Sequence, residues 1–313
     1  METRQVSSTV IEVLHLINRS NMMQTTQETL TTAQNERLHT LLLRNGAGRP
    51  VLALHIGSQQ DSGLQRKYRP NEDCLFVMHG TMPSPAPALL PTPFVLLVVA
   101  DGMGGQGYGR TASRLAVQSL VAYMSSSLST QQSAQASLLA LLRAGIQEAN
   151  RVVYERNLRQ HLGMGTTLMA VLLSETTASV AHVGDSRLYR YRPPTGLAQI
   201  TRDHSVVAAL VTAGIIEPDE IYTHPHRNQL YRSLGEQATV DVETTTLALA
   251  AGDILLVCTD GLWEMVRDQQ IAAILTTPMP TPMDTAHALI QAALAGGGAD
   301  NVSAIVAEAS QVL

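Results

Sequence analysis

The sequence predicts an α+β fold in which antiparallel β-sheets are covered by helices. Three observations carry that reading. Apolar runs of strand length arrive in hairpin-like groups. Two long helical patterns follow one another with no strand between them. The regular strand–helix–strand alternation that builds a parallel sheet is missing.

The 313 residues are 45% hydrophobic, enough for a sizeable core. Residues 1–48 are rich in Gln, Thr and Asn, and their apolar positions (Val10, Leu14 and Ile17, then Leu30, Leu38, Leu41 and Leu42) line only short helical stripes. We therefore expect 1–48 to be an N-terminal extension, flexible or partly helical, ending at Asn45-Gly46-Ala47-Gly48. The folded domain is expected over 49–313.

Within that domain, strands are expected at 51–57, 74–79 and 94–100. Between the last two, 81–93 holds five prolines, which neither a strand nor a helix interior tolerates, so it reads as a long hairpin excursion. Helical periodicity covers 111–127 and 133–160, the second with Leu138, Leu141, Leu142, Ile146, Ala149 and Val153 on one face. Strands return at 167–173, 178–183 and 187–192, the last two joined through Gly184-Asp185, which reads as a tight hairpin turn. Further strands are expected at 254–259 and 302–308, and a late helix at 284–294.

Charge excludes some partners. The net charge is −5 and Lys and Arg are dispersed, so no basic patch offers itself to nucleic acid or an anionic membrane. No apolar run approaches the ~20 residues that span a bilayer. Cys74 and Cys258 form neither a metal spacing nor a disulfide framework, and the N-terminus lacks a signal-peptide core. A cytoplasmic protein is expected.

The stretch "FVLLVVADGMGGQGYGRTASRLA" contains Gly102-x-Gly104-x-x-Gly107 between a strand and a helix, the dinucleotide-binding pattern. That pattern also needs a second strand soon afterwards, with an acid ~20 residues on to hold the ribose. There is no acid from Gly102 to Gln147, and helix follows helix, so the dinucleotide reading fails.

Asp101 offers another reading. A single Asp-Gly after a strand is most often a plain turn, but here the placement recurs. Asp260-Gly261 ends the apolar run of "DILLVCTDGLW", Asp300 precedes the strand of "ADNVSAIV", and Glu72 and Asp73 precede that of "NEDCLFV". Adjacent strands would gather these acids at one end of a sheet. Carboxylates buried side by side require cations, and an all-oxygen donor set suits Mg²⁺ or Mn²⁺ better than zinc or copper.

In chain order, "RPNEDCLFV", "VVADGMGGQGYG", "GMGTTLMAVL", "AHVGDSRLYRYR", "ITRDHSVV", "LYRSLG", "LLVCTDGLWEMV" and "ADNVSAIV" resemble the metal-dependent protein phosphatases of the protein phosphatase 2C-like (PPM) family in its bacterial form. The resemblance implies a four-layer αββα sandwich, two central antiparallel β-sheets flanked by helices. It implies that Asp73, Asp101, Asp260, Asp300 and the carbonyl of Gly102 hold two Mn²⁺ or Mg²⁺ ions, with Glu72 in an outer role. It also implies hydrolysis of phosphoserine and phosphothreonine in proteins by a metal-activated water, without a phosphoenzyme. Implied partners are phosphorylated proteins and a bacterial Ser/Thr kinase, met by a monomer.

The chain departs from the family pattern in places. The phosphate-binding arginine usually stands four residues before the Glu of the Glu-Asp pair, and here that position is Tyr68; Arg69 is the expected substitute, with Arg66 the alternative. Met103 replaces a histidine found after the Asp-Gly in animal members. Arg159-Gln160-His161 replaces the acid that often serves a third, weaker ion, which leaves Asp185 as a candidate outer ligand with Asp260. A catalytically silent phosphoprotein-binding regulator of the same fold is the alternative, but it should have lost a metal acid, and none is missing.

Overall fold

The computed structural model describes residues 39–44, 48–83, 90–129 and 137–312. Strands β1 (His39–Arg44), β2 (Pro50–Asp61), β3 (Asp73–Met82) and β4 (Thr92–Met103) lead into helices α1 (Tyr108–Leu128) and α2 (Leu138–Gln160). Strands β5 (Gly165–Thr166), β6 (Leu168–Ser174), β7 (Thr177–Val183), β8 (Arg187–Arg192) and β9 (Gly196–Gln199) follow. Then come helix α3 (Val206–Thr212), strands β10 (Glu243–Ala248) and β11 (Ile254–Cys258), helices α4 (Asp260–Trp263), α5 (Asp268–Thr276) and α6 (Pro282–Ala295), and strand β12 (Val302–Ser310).

These strands form two sheets in which every pairing is antiparallel. One runs β1-β2-β12-β11-β8-β9, the other β10-β7-β6-β4-β3 with β5 beside β4. The period-2 alternation of the strands makes the layers. In β4, Val95, Leu97 and Val99 join Leu54, Ile56, Leu188, Val257 and Ile305 in a core between the sheets. Leu96, Val98 and Ala100 point the other way, onto Ala116, Leu120, Leu142 and Ile146 of α1 and α2. On the far sheet, Leu256, Cys258 and Val306 pack outward onto Leu262, Ile271, Leu289 and Ile290 of α4, α5 and α6. Three apolar layers separate four structural ones, the αββα sandwich that the family resemblance implies.

Two expectations need correction. First, residues 39–44 are not part of a helical stripe in an extension: they pair with β2, from His39 opposite Ile56 to Arg44 opposite Pro50. Leu43 is fully buried in the inter-sheet core and Leu41 packs against it, so the folded part begins before residue 49. The rest of the extension, 1–38, lies outside the described residues, as does 84–89 of the proline loop, whose flanks Thr81 and Pro93 do pair as the two arms of a hairpin.

Second, Gly184-Asp185 is not a hairpin turn. It carries the chain from β7 in one sheet to β8 in the other. Gly184 needs its positive φ of 106°, and a Cβ there would stand 2.5 Å from Thr167 Cγ2. The true hairpin joins β6 to β7, with Ser174 opposite Thr177. Strands β9 and β10 and helices α3 to α5 are not among the elements expected from the sequence; α3 and α4 are short, whereas α5 is amphipathic, with Ile271 and Leu275 buried. Ser205 caps α3, its side chain accepting from the Ala208 N–H.

Candidate metal centre

Four acids reach one end of the sandwich from both sheets. Asp73 opens β3 and is the register partner of Asp101 near the end of β4. Asp260 starts α4 just after β11, and Asp300 stands just before β12, which pairs with β11. All four carry raised pKa values, each with burial as the first cause. Asp73 is pushed up to about 7, with the Ser303 and Thr259 hydroxyls pulling the other way and Asp260 and Asp300 adding repulsion. Asp101 lies well above the usual carboxylate range, through burial, then Asp260 and Asp73. Asp300 is pushed up to about 6 by burial and then Asp260.

The donor set fits a hard cation. Thr259 Oγ1 and Ser303 Oγ donate to Asp73 Oδ2 at 2.8 and 2.7 Å, which fixes the carboxylate by one oxygen. Its other oxygen, Oδ1, is buried without a hydrogen-bond partner, as are Asp260 Oδ1 and Glu72 Oε1. Burying three partnerless carboxylate oxygens in one place is costly unless positive charge meets them. Divalent ions would meet that demand, held by Asp73, Asp101, Asp260 and Asp300.

Backbone geometry brings Gly102 into the same group. Its N–H donates to the Glu72 carbonyl at 3.2 Å, and a Cβ at this position would lie 2.0 Å from the Gly109 carbonyl oxygen. A Cβ on Gly109 would in turn sit 2.8 Å from Glu72 Oε1. Gly102 and Gly109 therefore serve close packing of β4, α1 and Glu72, not a dinucleotide. The Asp101 carbonyl is held by the Thr167 N–H and the Thr166 hydroxyl.

The arginine expectation changes. Arg66 Nη1 lies 2.7 Å from Asp300 Oδ1 and 3.7 Å from Glu72 Oε2. Arg69 is exposed, and its N–H only closes a turn onto the Arg66 carbonyl. The 62–70 loop folds so that the earlier of the two arginines faces the acids, which sequence proximity to Glu72 did not reveal.

Sequence reasoning missed the supporting polar groups. Asn301 Oδ1 accepts from the Glu72 N–H and Asn71 Oδ1 from that of Asp73. Ser303 could have been found: it alternates with Val302 and Ala304 on a strand neighbouring Thr259. Arg187 is buried, forked onto Asp203, and lies 3.6 Å over the Trp263 ring. The Trp263 indole donates to the Asp185 carbonyl, so this core residue also ties α4 to the inter-sheet crossover. Asp185 is buried, its pKa raised by burial and then by Asp260. Burial also raises both thiols, Cys74 to about 12, so neither is a ready thiolate.

A second cluster, His182, His204 and Glu243, brings three ligand-type atoms within 4.8 Å of one another. Its geometry is that of hydrogen bonding. The two rings stack at 4.7 Å and 7°, whereas a metal lies in the plane of each imidazole it binds, and parallel offset planes share no such point. The Gly184 N–H donates to His204 Nδ1, which leaves the proton of the neutral ring on Nε2, 3.2 Å from Glu243 Oε2. Burial, then His182, lowers His204 to about 4, and Arg232 nearby acts in the same direction. His204 thus secures the crossover rather than touching phosphate.

Similarity to known proteins covers most of the chain. A family model described as protein phosphatase 2C matches residues 91–296. The serine/threonine protein phosphatase PstP of Mycobacterium tuberculosis is 36% identical over 265 residues, which cover 83% of this chain and 46% of that protein. The chain thus spans about half the length of that relative. The serine/threonine phosphatase stp of Listeria monocytogenes is 35% identical over 68% of this chain and 84% of its own length. Among solved structures, the catalytic domain of PstP in complex with 2 manganese ions aligns with a TM-score of 0.67 at 33% identity, covering 83% of this chain and all of that one. Stp1 from Staphylococcus aureus aligns at 0.69 and 33%, covering 81% and 94%.

Proposed function

The chain belongs to the protein phosphatase 2C family, and on that premise we propose that it hydrolyses phosphoserine and phosphothreonine monoesters in proteins. The observation that carries this reading is the convergence of Asp73, Asp101, Asp260 and Asp300 with buried oxygens left without partners, beside a guanidinium. When bound there, two Mn²⁺ or Mg²⁺ ions neutralise phosphate charge and lower the pKa of water towards neutrality.

The chain's own residues do the rest. Asp73, fixed by Thr259 and Ser303, and Asp101, whose backbone is fixed by Thr166 and Thr167, hold their carboxylates with little freedom to reorient. Gly102 contributes its carbonyl at the end of β4. Arg66 binds the phosphate oxygens in a charge-assisted fork, the role expected of Arg69 from the sequence. Glu72 presents Oε1 as an acceptor that orients the attacking water, its backbone N–H held by Asn301. The water's attack displaces the serine or threonine oxygen in line, with no covalent phosphoenzyme. Asp185, whose carboxyl is raised by burial and then by Asp260, is the candidate outer ligand of a third, weaker ion.

The substrates would be proteins phosphorylated by a bacterial Ser/Thr kinase, or that kinase itself, met by a monomer in the cytoplasm. Unpaired Cys74 and Cys258 favour a reducing compartment, and among the described residues no helix is long and apolar enough to cross a membrane. The intact acid set disfavours a silent regulator. The test is phosphate release from a phosphothreonine peptide with Mn²⁺, with Mg²⁺ and with excess chelator. Metal-dependent turnover that disappears in Asp260→Asn supports the reading; turnover in chelator, or none with either metal, contradicts it.

A further inference from the structure

One turn beyond the core-facing stripe of α2, an apolar edge is left uncovered. Leu142, Ile146, Ala149 and Val153 are buried against the sheet, but Tyr154 and Leu158, spaced i and i+4 on the same helix, face a depression of about 370 Å³. Leu158 is 55% exposed, so its side chain is open to a ligand in the depression. Met103 and Met164 complete the apolar lining, and His161 and Glu236 stand at its edge.

This depression begins one residue from the metal centre, at Met103. Met103 directly follows Gly102 and is the register partner of Gly165, while Gly102 pairs with Thr166, which holds the Asp101 carbonyl. Its floor is fixed in advance. Asn157 donates to the Met164 and Gly235 carbonyls and accepts from the Met164 N–H. Seven residues earlier on α2, Asn150 accepts from the Gly235 N–H and donates to the Gln237 and Ala238 carbonyls. Two asparagines on one helix face thus clamp both loops that border the hollow, so filling it costs little ordering.

We propose that this depression is a substrate subsite that takes an apolar side chain, Leu or Met in size, lying within a few residues of the phosphorylated Ser or Thr. The inference rests on the phosphatase reading above. A polypeptide whose phosphate sits at the acids must leave across neighbouring surface, and at ~3.3–3.6 Å per extended residue the side chains that reach Met103 are close in sequence. Apolar lining over polar floor hydrogen bonds selects for side-chain volume and against charge. The Met103 side chain, only partly buried, adapts to more than one aliphatic shape.

The test compares kcat/KM for phosphothreonine peptides that carry Leu, Ala or Asp at each flanking position in turn, with the full chain and Mn²⁺. Hydrolysis of p-nitrophenyl phosphate, which has no flanking residue, reports the integrity of the metal site in every variant. The expected result is a preference for Leu over Ala of about tenfold at one flanking position. That ratio should collapse towards one in Leu158→Asp, and again in Tyr154→Ser should the first variant fold poorly. Equal rates for the Leu, Ala and Asp peptides, or a preference that survives both substitutions, would overturn the subsite while leaving the phosphatase intact. Loss of hydrolysis of every substrate by the wild-type protein would instead remove the phosphatase reading, and the subsite with it.

Discussion

Asp73 and Asp101 are direct partners across the β3–β4 ladder, so a buried and a half-buried carboxylate enter the site from one register position. Side chains directly opposite on antiparallel strands lie close, and like charges there repel. Holding the pair therefore lowers the stability of the metal-free chain. Asp101→Asn is expected to raise the melting temperature of the chelated protein while abolishing Mn²⁺-dependent phosphate release. Thermal unfolding in excess chelator checks the first half, and an unchanged or lower melting temperature would contradict it.

Burial of these acids, with repulsion added, fixes a pH dependence. A carboxyl with a folded pKa above its unfolded value binds more protons when folded, so stability falls as the pH rises through the interval between the two. Asp73 spans from 3.8 to about 7, and Asp300 from 3.8 to about 6. In chelator, the melting temperature should fall between pH 4 and pH 7, and saturating Mn²⁺ should flatten or reverse that slope. A melting temperature rising over the same range without metal would contradict the raised carboxyl pKa values that burial, and then repulsion, produce here.

Arg66 and Arg69 separate cleanly. Losing a charge-assisted fork to phosphate costs about 1.5–3 kcal/mol, or roughly 10- to 150-fold in kcat/KM. That loss is expected for Arg66→Ala, mainly through KM, whereas exposed Arg69→Ala should stay within about twofold of wild type. Steady-state kinetics on one phosphopeptide decides it, and a larger effect at Arg69 would return the role to that residue.

The hydroxyls behind Asp73 are the fourth point of test. Ser303→Ala removes one of two donors that orient its carboxylate. Groups that orient a ligand typically carry about 10- to 100-fold of metal affinity. Mn²⁺ titration by calorimetry should show weakening in that range with the fold preserved, and an unaltered affinity would make Ser303 a packing residue.

Much of this was legible in the sequence because the acids stand at strand ends. An apolar run of strand length announces where a strand stops, so Asp101 after 94–100 and Asp260 after 254–259 could be placed at an edge before any coordinate was known. What the pattern could not show was which edges meet. Alternation of period 2 marks the faces of a strand but not its partner, and Gly184-Asp185 looked like a hairpin because two strands flank it, when it crosses between sheets. Edge strand β1 was hidden by the polar segment before it, although Leu41 and Leu43 alternate as a strand requires. The choice between Arg66 and Arg69 lay in a loop fold with no periodic signal. Asn150 and Asn157 were invisible as clamps for a similar reason: a polar residue on an amphipathic helix looks solvated until the loop that it holds is in place.

The central claim is that these four aspartates form a binuclear centre. Its most direct measurement is the Mn²⁺ stoichiometry of the purified full chain, by equilibrium dialysis with elemental analysis, alongside Asp101→Asn and Asp260→Asn. The account predicts about two tightly held ions per chain in the wild type and loss of at least one in each variant. Fewer than one ion in the wild type, or full occupancy in both variants, would contradict it.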